Sequence, residues 1–481
     1  MINIVAESNT PLYQQIYEQV KQQIIDGVIR EGSRLTSTRT LAKSLCVARN
    51  TVENAYAQLC LEGYVLNKPG SGFVVLDIHG DSLSSLFPNA IKAHQQSGSA
   101  SLTSRVQPIG FTDNLTKECF YDFQYSNLDQ TSFPSSLWRR LTADALSSFD
   151  AKRISFYNDK QGELELRTEI LKYVRESRGV RCSPEQIVLC CGTQYALGVI
   201  CQLASRNKRQ IAVEEPGYDG AGIVFKNNGY EIMPVSVGTE GINLGELEQC
   251  PAKLVYITPS HQFPTGAVMP IHNRLQLLQW AVKKDALIIE DDYDSELRYH
   301  TRPIPSLQSI DTDGRVIYFG TFSKSLSPGL RMSYIILPEQ LVSEYHRIYS
   351  GYYCTIPWLQ QKIVSLYMSR GHWERHIRKV CLQNKKRHDI LVQAITEHLG
   401  DRVHIHGCNA GLHLLLEFTN GESQEWLIER AKVFGVQVYP TKPYWQRVEH
   451  CEANFILMGF SILTEKEITE GIRLLKDAWF G

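Results

Sequence analysis

At 481 residues the chain exceeds one ordinary hydrophobic core, so two or three domains are expected. Hydrophobic residues make up 43% and charged residues 21%, with a formal net charge of −1, so any nucleic-acid contact must come from a local basic patch. The longest apolar segments, such as "YALGVICQLA", fall short of the ~20 residues of a membrane span.

The start, "MINIVAESNTP", lacks the layout of a signal peptide. Twelve scattered cysteines without a C-x-x-C pair suit reduced thiols in a cytoplasmic protein, and no metal site is expected.

Residues 1–76 read as a first domain. "PLYQQIYEQVKQQIIDGVI" sets Leu12, Ile16, Val20 and Ile24 at helical spacing, with Gly27 as a stop. "TSTRTLAKSLCV" and "ARNTVENAYAQLCLEGY" are two more amphipathic helices, and "VLNKPGSGFVV" alternates about a Pro-Gly-Ser-Gly turn as a hairpin does. Three helices and a hairpin make a winged helix-turn-helix, whose third helix enters the major groove of DNA. Arg49, Asn50 and Thr51 then stand at the start of that helix, where Arg and Asn reach base edges and Thr51 meets phosphate. Ser37 and Arg39, at the start of the preceding helix, are candidates for backbone contacts, and Lys68 and Ser71 for the wing tip. Charge does not separate this reading from a protein-interaction module, because residues 1–75 hold seven Lys/Arg against six Asp/Glu. The stretch "GSRLTSTRTLAKSLCVARNTVENAYAQLCLEGYVLNKPGSGFVV" resembles the DNA-binding domain of the GntR family of bacterial regulators along its whole length. It departs from that family at Thr36, where proline is usual, and at Ala48, where serine is usual. The second change removes a helix-capping oxygen, at a cost of about 1 kcal/mol.

Residues 77–118 are rich in Ser, Gln and Gly without periodicity and read as a linker. From 119 to 481 short apolar runs ("QIVLCCG", "QIAVEEP", "KLVYITP", "ALIIEDD", "VIYFGTF") alternate with helical stretches. Each run ends in Gly, Pro or acidic residues, which predicts an α/β domain with a mostly parallel sheet.

Open α/β sheets bind ligands at the ends of their strands, and this chain gathers polar residues there. Lys324, after "RVIYFG", is a candidate for a covalent link to pyridoxal 5'-phosphate (PLP), with Thr321, Ser323 and Arg331 near the phosphate. Taken alone, "FSKSLSPGL" reads more readily as a surface loop. Asp291, in the acidic run Glu290–Asp292, can pair with a pyridine nitrogen, and Tyr293 with the ring hydroxyl; alone, such a run reads as a metal site or a solvated turn. Gly192, Thr193 and Gln194 open a helix whose free amides suit a phosphate, and Tyr218 can stack on the ring. His261 and Gln262 are further candidate donors to the ring hydroxyl.

The ordered series "GTQ", "EEPGY", "PSHQFPTG", "EDDYDSELRY" and "GTFSKSLSPGLRMSY" resembles the aminotransferases of fold type I. Its fusion behind a GntR-type reader resembles the MocR (GabR-like) subfamily of regulators. The resemblance implies that Lys324 holds PLP, Asp291 meets its ring nitrogen, Tyr293 its hydroxyl and Tyr218 its face. It also implies that Thr193, Thr321, Ser323 and Arg331 serve the phosphate, and that the chain dimerises head to tail. For the arginine that grips a substrate carboxylate in such enzymes, only Lys442 and Arg447 are on offer, and "YSN" at 125–127 replaces a glycine-containing turn. The expected function is a regulator that binds operator DNA and senses a small amine or amino acid through PLP. A working aminotransferase, and a regulator that responds to PLP itself, fit the same residues.

Overall fold

The computed structural model describes residues 10–45, 47–68, 72–76, 120–125, 127–147, 155–204, 209–299, 304–452 and 454–481. Ser71 and the predicted linker 77–118 lie outside them.

In the first domain, helices α1 (Leu12–Ile25), α2 (Thr38–Ser44) and α3 (Arg49–Leu61) precede the hairpin of β1 (Val65–Lys68) and β2 (Gly72–Val75). The predicted stripe holds in its inner part: Ile16, Val20 and Ile24 are buried against Val52, Tyr56 and Leu59, while Leu12 is exposed. Ser37 caps α2 by accepting a bond from Thr40 N–H at 3.1 Å. Ala48 gives α3 no side-chain cap, as its missing hydroxyl implies.

The large sheet is built from β3 (Ile187–Cys190), β4 (Gln210–Glu215), β5 (Glu231–Gly238), β6 (Gly241–Ile242), β7 (Leu254–Ile257), β8 (Leu287–Asp292), β9 (Val316–Thr321) and β10 (Ser333–Ile336). Their order is β3-β10-β9-β8-β7-β4-β5-β6. Pairing is parallel from β9 through β8, β7 and β4 to β5, and antiparallel for β10 and β6. Separate apolar cores cover the two faces, one including Ile289, Phe319 and Tyr256, the other Ile288, Val255 and Trp280. Alternate residues of β8 and β7 thus enter opposite cores, as a sheet buried on both faces requires. The C-terminal part adds a four-stranded sheet of 403–406, 413–418, 455–459 and 439–440, covered by helices that include His372–His398 and Glu465–Phe480.

The reader rests on the large domain. Ile271 N–H donates to Glu62 O at 2.8 Å, and the Ile271 side chain joins the reader's own core. Gly63 has φ +77°, and a Cβ there would lie 2.6 Å from the Pro270 Cβ, so only glycine allows this approach.

Candidate functional site

β3, β4, β7, β8 and β9 run parallel, so the segments that follow them converge at one edge of the sheet. A cavity of about 440 Å³ opens there, lined by residues from all five connections. Of the predicted cofactor residues it brings together Thr193, Gln194, Tyr218, Asp291, Tyr293, Thr321, Ser323, Lys324 and Arg331.

Strand alternation selects one acid from the run of three. Glu290 accepts the Leu307 and Gln308 amides at 2.7 and 2.9 Å. Asp292 is held by Arg178, at 2.7 and 3.1 Å, and by the Tyr318 hydroxyl at 2.6 Å. Asp291 points to the other face, where Oδ2 accepts from the Tyr256 hydroxyl and Oδ1 is buried without a hydrogen-bond partner. Burial, with Asp292, Asp294 and Glu214 nearby, pushes the Asp291 carboxyl up to about 7, against the bond from Tyr256. Such an oxygen fits the protonated ring nitrogen of PLP, which would satisfy it and return the carboxyl to its charged form.

Lys324 lies in the turn after β9, where Leu326 and Ser327 N–H both bond to Phe322 O and the Phe322 side chain is anchored in the core. Its ammonium sits 3.8 Å from the ring centroid of Tyr125. Desolvation lowers its pKa to about 8, opposed by Asp294 and Asp291, so a useful fraction is the neutral nucleophile near neutral pH.

For the phosphate end, helix α4 (Thr193–Leu203) starts at Gly192, whose φ is +79°. A Cβ at Gly192 would come 2.4 Å from Arg331 Nη2, so the guanidinium reaches the helix N-terminus only because that residue is glycine. Arg331 itself is left-handed, with φ 48°. The Thr321 hydroxyl accepts Ser323 N–H at 3.1 Å and fixes the turn between them. A helix N-terminus, a forked cation and two hydroxyls meet here, a set of donors whose chemistry fits the phosphate of PLP.

Besides Gly192, which makes room for Arg331, four predicted pocket residues do not line the cavity. His261 is buried behind Tyr293, bonded to Asp294 at 2.8 Å, and its carbonyl accepts the Tyr293 hydroxyl at 2.9 Å. Gln262 spends its amide on Pro216 O and Phe263 O, at 2.8 and 2.7 Å, and so ties the turns after β4 and β7 together. Lys442 is exposed and pairs with Glu425 at 3.3 Å. Arg447 is engaged by the buried Glu215, through its backbone N–H at 2.6 Å and through Nε. This contact, with Gly217 N–H donating to Tyr444 O at 2.9 Å, places Tyr444 on the cavity wall. Neither cation reaches the cavity wall.

Residues 124–454 match the family "Aminotransferase class I and II" and residues 12–75 match "Bacterial regulatory proteins, gntR family". An uncharacterized helix-turn-helix transcriptional regulator of Bacillus subtilis, YdeL, is 39% identical over 98% of this chain and 97% of its own. MocR of Rhizobium meliloti, a probable rhizopine catabolism regulatory protein, is 32% identical over 100% of this chain and 96% of its own. The chain belongs to the MocR-type regulators.

Among solved structures, the multiple substrate aminotransferase of Thermococcus profundus superposes with a TM-score of 0.69. It shares 26% identity, over 76% of this chain and 92% of that one. As a MocR-type protein, the chain is a helix-turn-helix transcription regulator with an aminotransferase-like domain, and PLP is the cofactor of that domain. On its reader, Ser37, Arg39, Arg49, Asn50 and Lys68 are exposed at the starts of α2 and α3 and at the wing, and Thr51 is half-buried. Arg49 pairs with Glu53 at 2.7 Å, an exposed i,i+4 contact that a phosphate or base can displace at little cost.

Sequence reasoning missed Tyr125, Asp219, Tyr256, Thr258, Phe263, Pro328 and Tyr444 on the cavity wall. Tyr256 carried the one readable signal, a tyrosine within the otherwise aliphatic strand "LVYI".

Proposed function

We propose that this regulator senses a small primary amine through PLP held at Lys324. The observation that carries the reading is the shared cavity. It joins a lysine of lowered pKa, an acid with an unpartnered oxygen and an arginine-flanked helix N-terminus, on a chain that also bears a DNA reader. Bound there, PLP supplies an aldehyde that joins primary amines reversibly. Asp291 would hold the ring nitrogen, Tyr218 cover the ring, Tyr293 stand at its hydroxyl, and Thr193, Thr321, Ser323 and Arg331 hold the phosphate. Lys324 is the amine that an effector replaces. Once released, it is again a cation among Asp291, Asp294 and the Tyr125 ring, so the wall around it changes charge. The reader's docking on Pro270 and Ile271 supports a route from that change to DNA. These residues lie in the same chain segment as Ser260, which accepts Arg178 Nη2 at 2.6 Å beside Asp292.

Operator binding by a head-to-tail homodimer in the cytoplasm completes the reading. The exposed cluster of Phe156, Tyr157, Tyr352 and Tyr353, with Tyr157 and Tyr353 stacked at 4.1 Å, supports a dimer contact. The domain limits 1–76, 77–118 and 119–481 belong to the same proposal. The test is borohydride reduction of the purified chain incubated with PLP. Label should appear on the peptide carrying Lys324 and vanish in Lys324→Ala, and label elsewhere would overturn the reading.

A further inference from the structure

If the cavity senses an amine, its outer half identifies which kind. The cations on its wall are Lys324 and Arg331, both already committed to the cofactor, and Lys442 and Arg447 are turned to other partners. Lys324, a cation again once replaced, remains among Asp291 and Asp294, so among the described residues a carboxylate-bearing effector finds no uncompensated counter-charge in this cavity. What it meets instead is Asp219, the first residue of helix α5 (Asp219–Asn227), half-buried on the cavity wall.

Between Lys324 and Asp219 the wall is aromatic. The Lys324 ammonium lies over Tyr125, the Tyr125 ring is 5.2 Å from Phe263, and Phe263 meets Tyr444 edge-on at 4.8 Å. Asp219 stands beside Tyr444 and Tyr218, and its negative charge contributes to raising both hydroxyl pKa values. No basic side chain pairs with Asp219 among the described residues, and burial raises its own pKa against the pull of its helix amides. The track thus begins at an amine-exchange point, runs along aromatic faces that favour methylenes and cations, and ends at an uncompensated carboxylate.

We propose that Asp219 is a specificity residue for a second cationic group on the effector, so that the ligand class is a diamine rather than an amino acid. One amine takes the place of Lys324, the alkyl stem lies along Tyr125, Phe263 and Tyr444, and the far ammonium pairs with Asp219. An effector carboxylate in that position is repelled. The plain alternative is that Asp219 only favours the start of α5 electrostatically, which affects stability but not ligand choice. The inference rests on the sensing function proposed above.

The test is titration of the full-length, PLP-loaded protein with cadaverine, pentylamine and δ-aminovalerate. These have equal chain length and differ only in the far group. Binding is read by the near-ultraviolet absorption of the cofactor and by calorimetry, and diamines of three to eight carbons then give the preferred length. Cadaverine should bind about tenfold or more tighter than pentylamine, and δ-aminovalerate weakest. Asp219→Asn, which keeps a helix-start residue but removes the charge, should bring cadaverine to within about threefold of pentylamine, and Asp219→Glu should keep the preference. Equal or tighter binding of δ-aminovalerate would overturn the inference by showing a cation supplied from elsewhere, including the partner subunit. A cadaverine preference that survives in Asp219→Asn would overturn the role of Asp219. If no amine of any class perturbs the cofactor, the sensing function itself fails, and this inference with it.

Discussion

Lys324 is a surface residue by type but not by position, and the desolvation that lowers its pKa to about 8 has a kinetic consequence. Only the neutral amine attacks an aldehyde, so PLP capture by the apoprotein should accelerate as pH rises through about 8, not through the ordinary lysine value. Stopped-flow absorbance across this range checks it; a rate flat between pH 7 and 9 would remove the link. The carboxyls nearby behave in the opposite sense. Burial raises Glu214, Asp291 and Glu296 each to about 7, so between about pH 4 and 7 the folded apoprotein holds protons that the unfolded chain does not. Their stabilising contribution is fully present below the unfolded values and is lost as pH rises through about 7. Urea midpoints of the apoprotein should therefore fall from pH 6 to pH 8. At Gly192 the constraint is steric. Gly192→Ala drives a Cβ into Arg331 at an unfavourable φ, and PLP affinity should drop about tenfold or more, measured by equilibrium dialysis.

At the scale of elements, two contacts position everything else. The parallel run β4-β7-β8-β9 delivers Tyr218, Thr258, Asp291 and Lys324 to one edge, and period-two alternation within β8 sends Asp291 to the cavity and its neighbours to Arg178 and the 307–308 amides. Helix α6 (Ile271–Lys284) carries the reader at its first residue. Ile271→Asp buries a charge in the reader's core without a counter-ion, so the docked state should be lost before the large domain unfolds. Hydrogen exchange at Leu59–Gly63 should speed up while β8 and β9 stay protected; equal protection in variant and parent would refute the docking.

For the whole molecule, a dimeric regulator needs a face to pair through, and exposed aromatics at 156–157 and 352–353 are poor solvent surface for a monomer. The pair Tyr157→Asp and Tyr353→Asp should yield a monomer by light scattering and weaken operator binding. A variant that remains dimeric would assign the interface elsewhere. Much of the architecture was legible in advance: the three helices and hairpin of the reader, the run of strands, and the order of Thr193, Tyr218, Asp291 and Lys324. Each of these rests on local chemistry, namely hydrophobic periodicity, turn residues and strand ends. The roles of His261 and Gln262 were not legible. A polar pair beside a turn looks alike from sequence whether it faces a ligand or, as here, ties Asp294 and Pro216 behind the wall.

By itself the sequence determined that a GntR-type reader precedes an aminotransferase-like α/β domain, and that Lys324, Asp291 and Arg331 stand at its strand ends. Only the tertiary structure decided which neighbours share the cavity. Tyr125, Phe263, Tyr444 and Asp219 come from four separate segments, so no spacing along the chain records that they meet. The same holds for Arg447, a free cation on paper and a bound one in the fold, because its partner Glu215 lies more than 200 residues away and is brought there by packing alone.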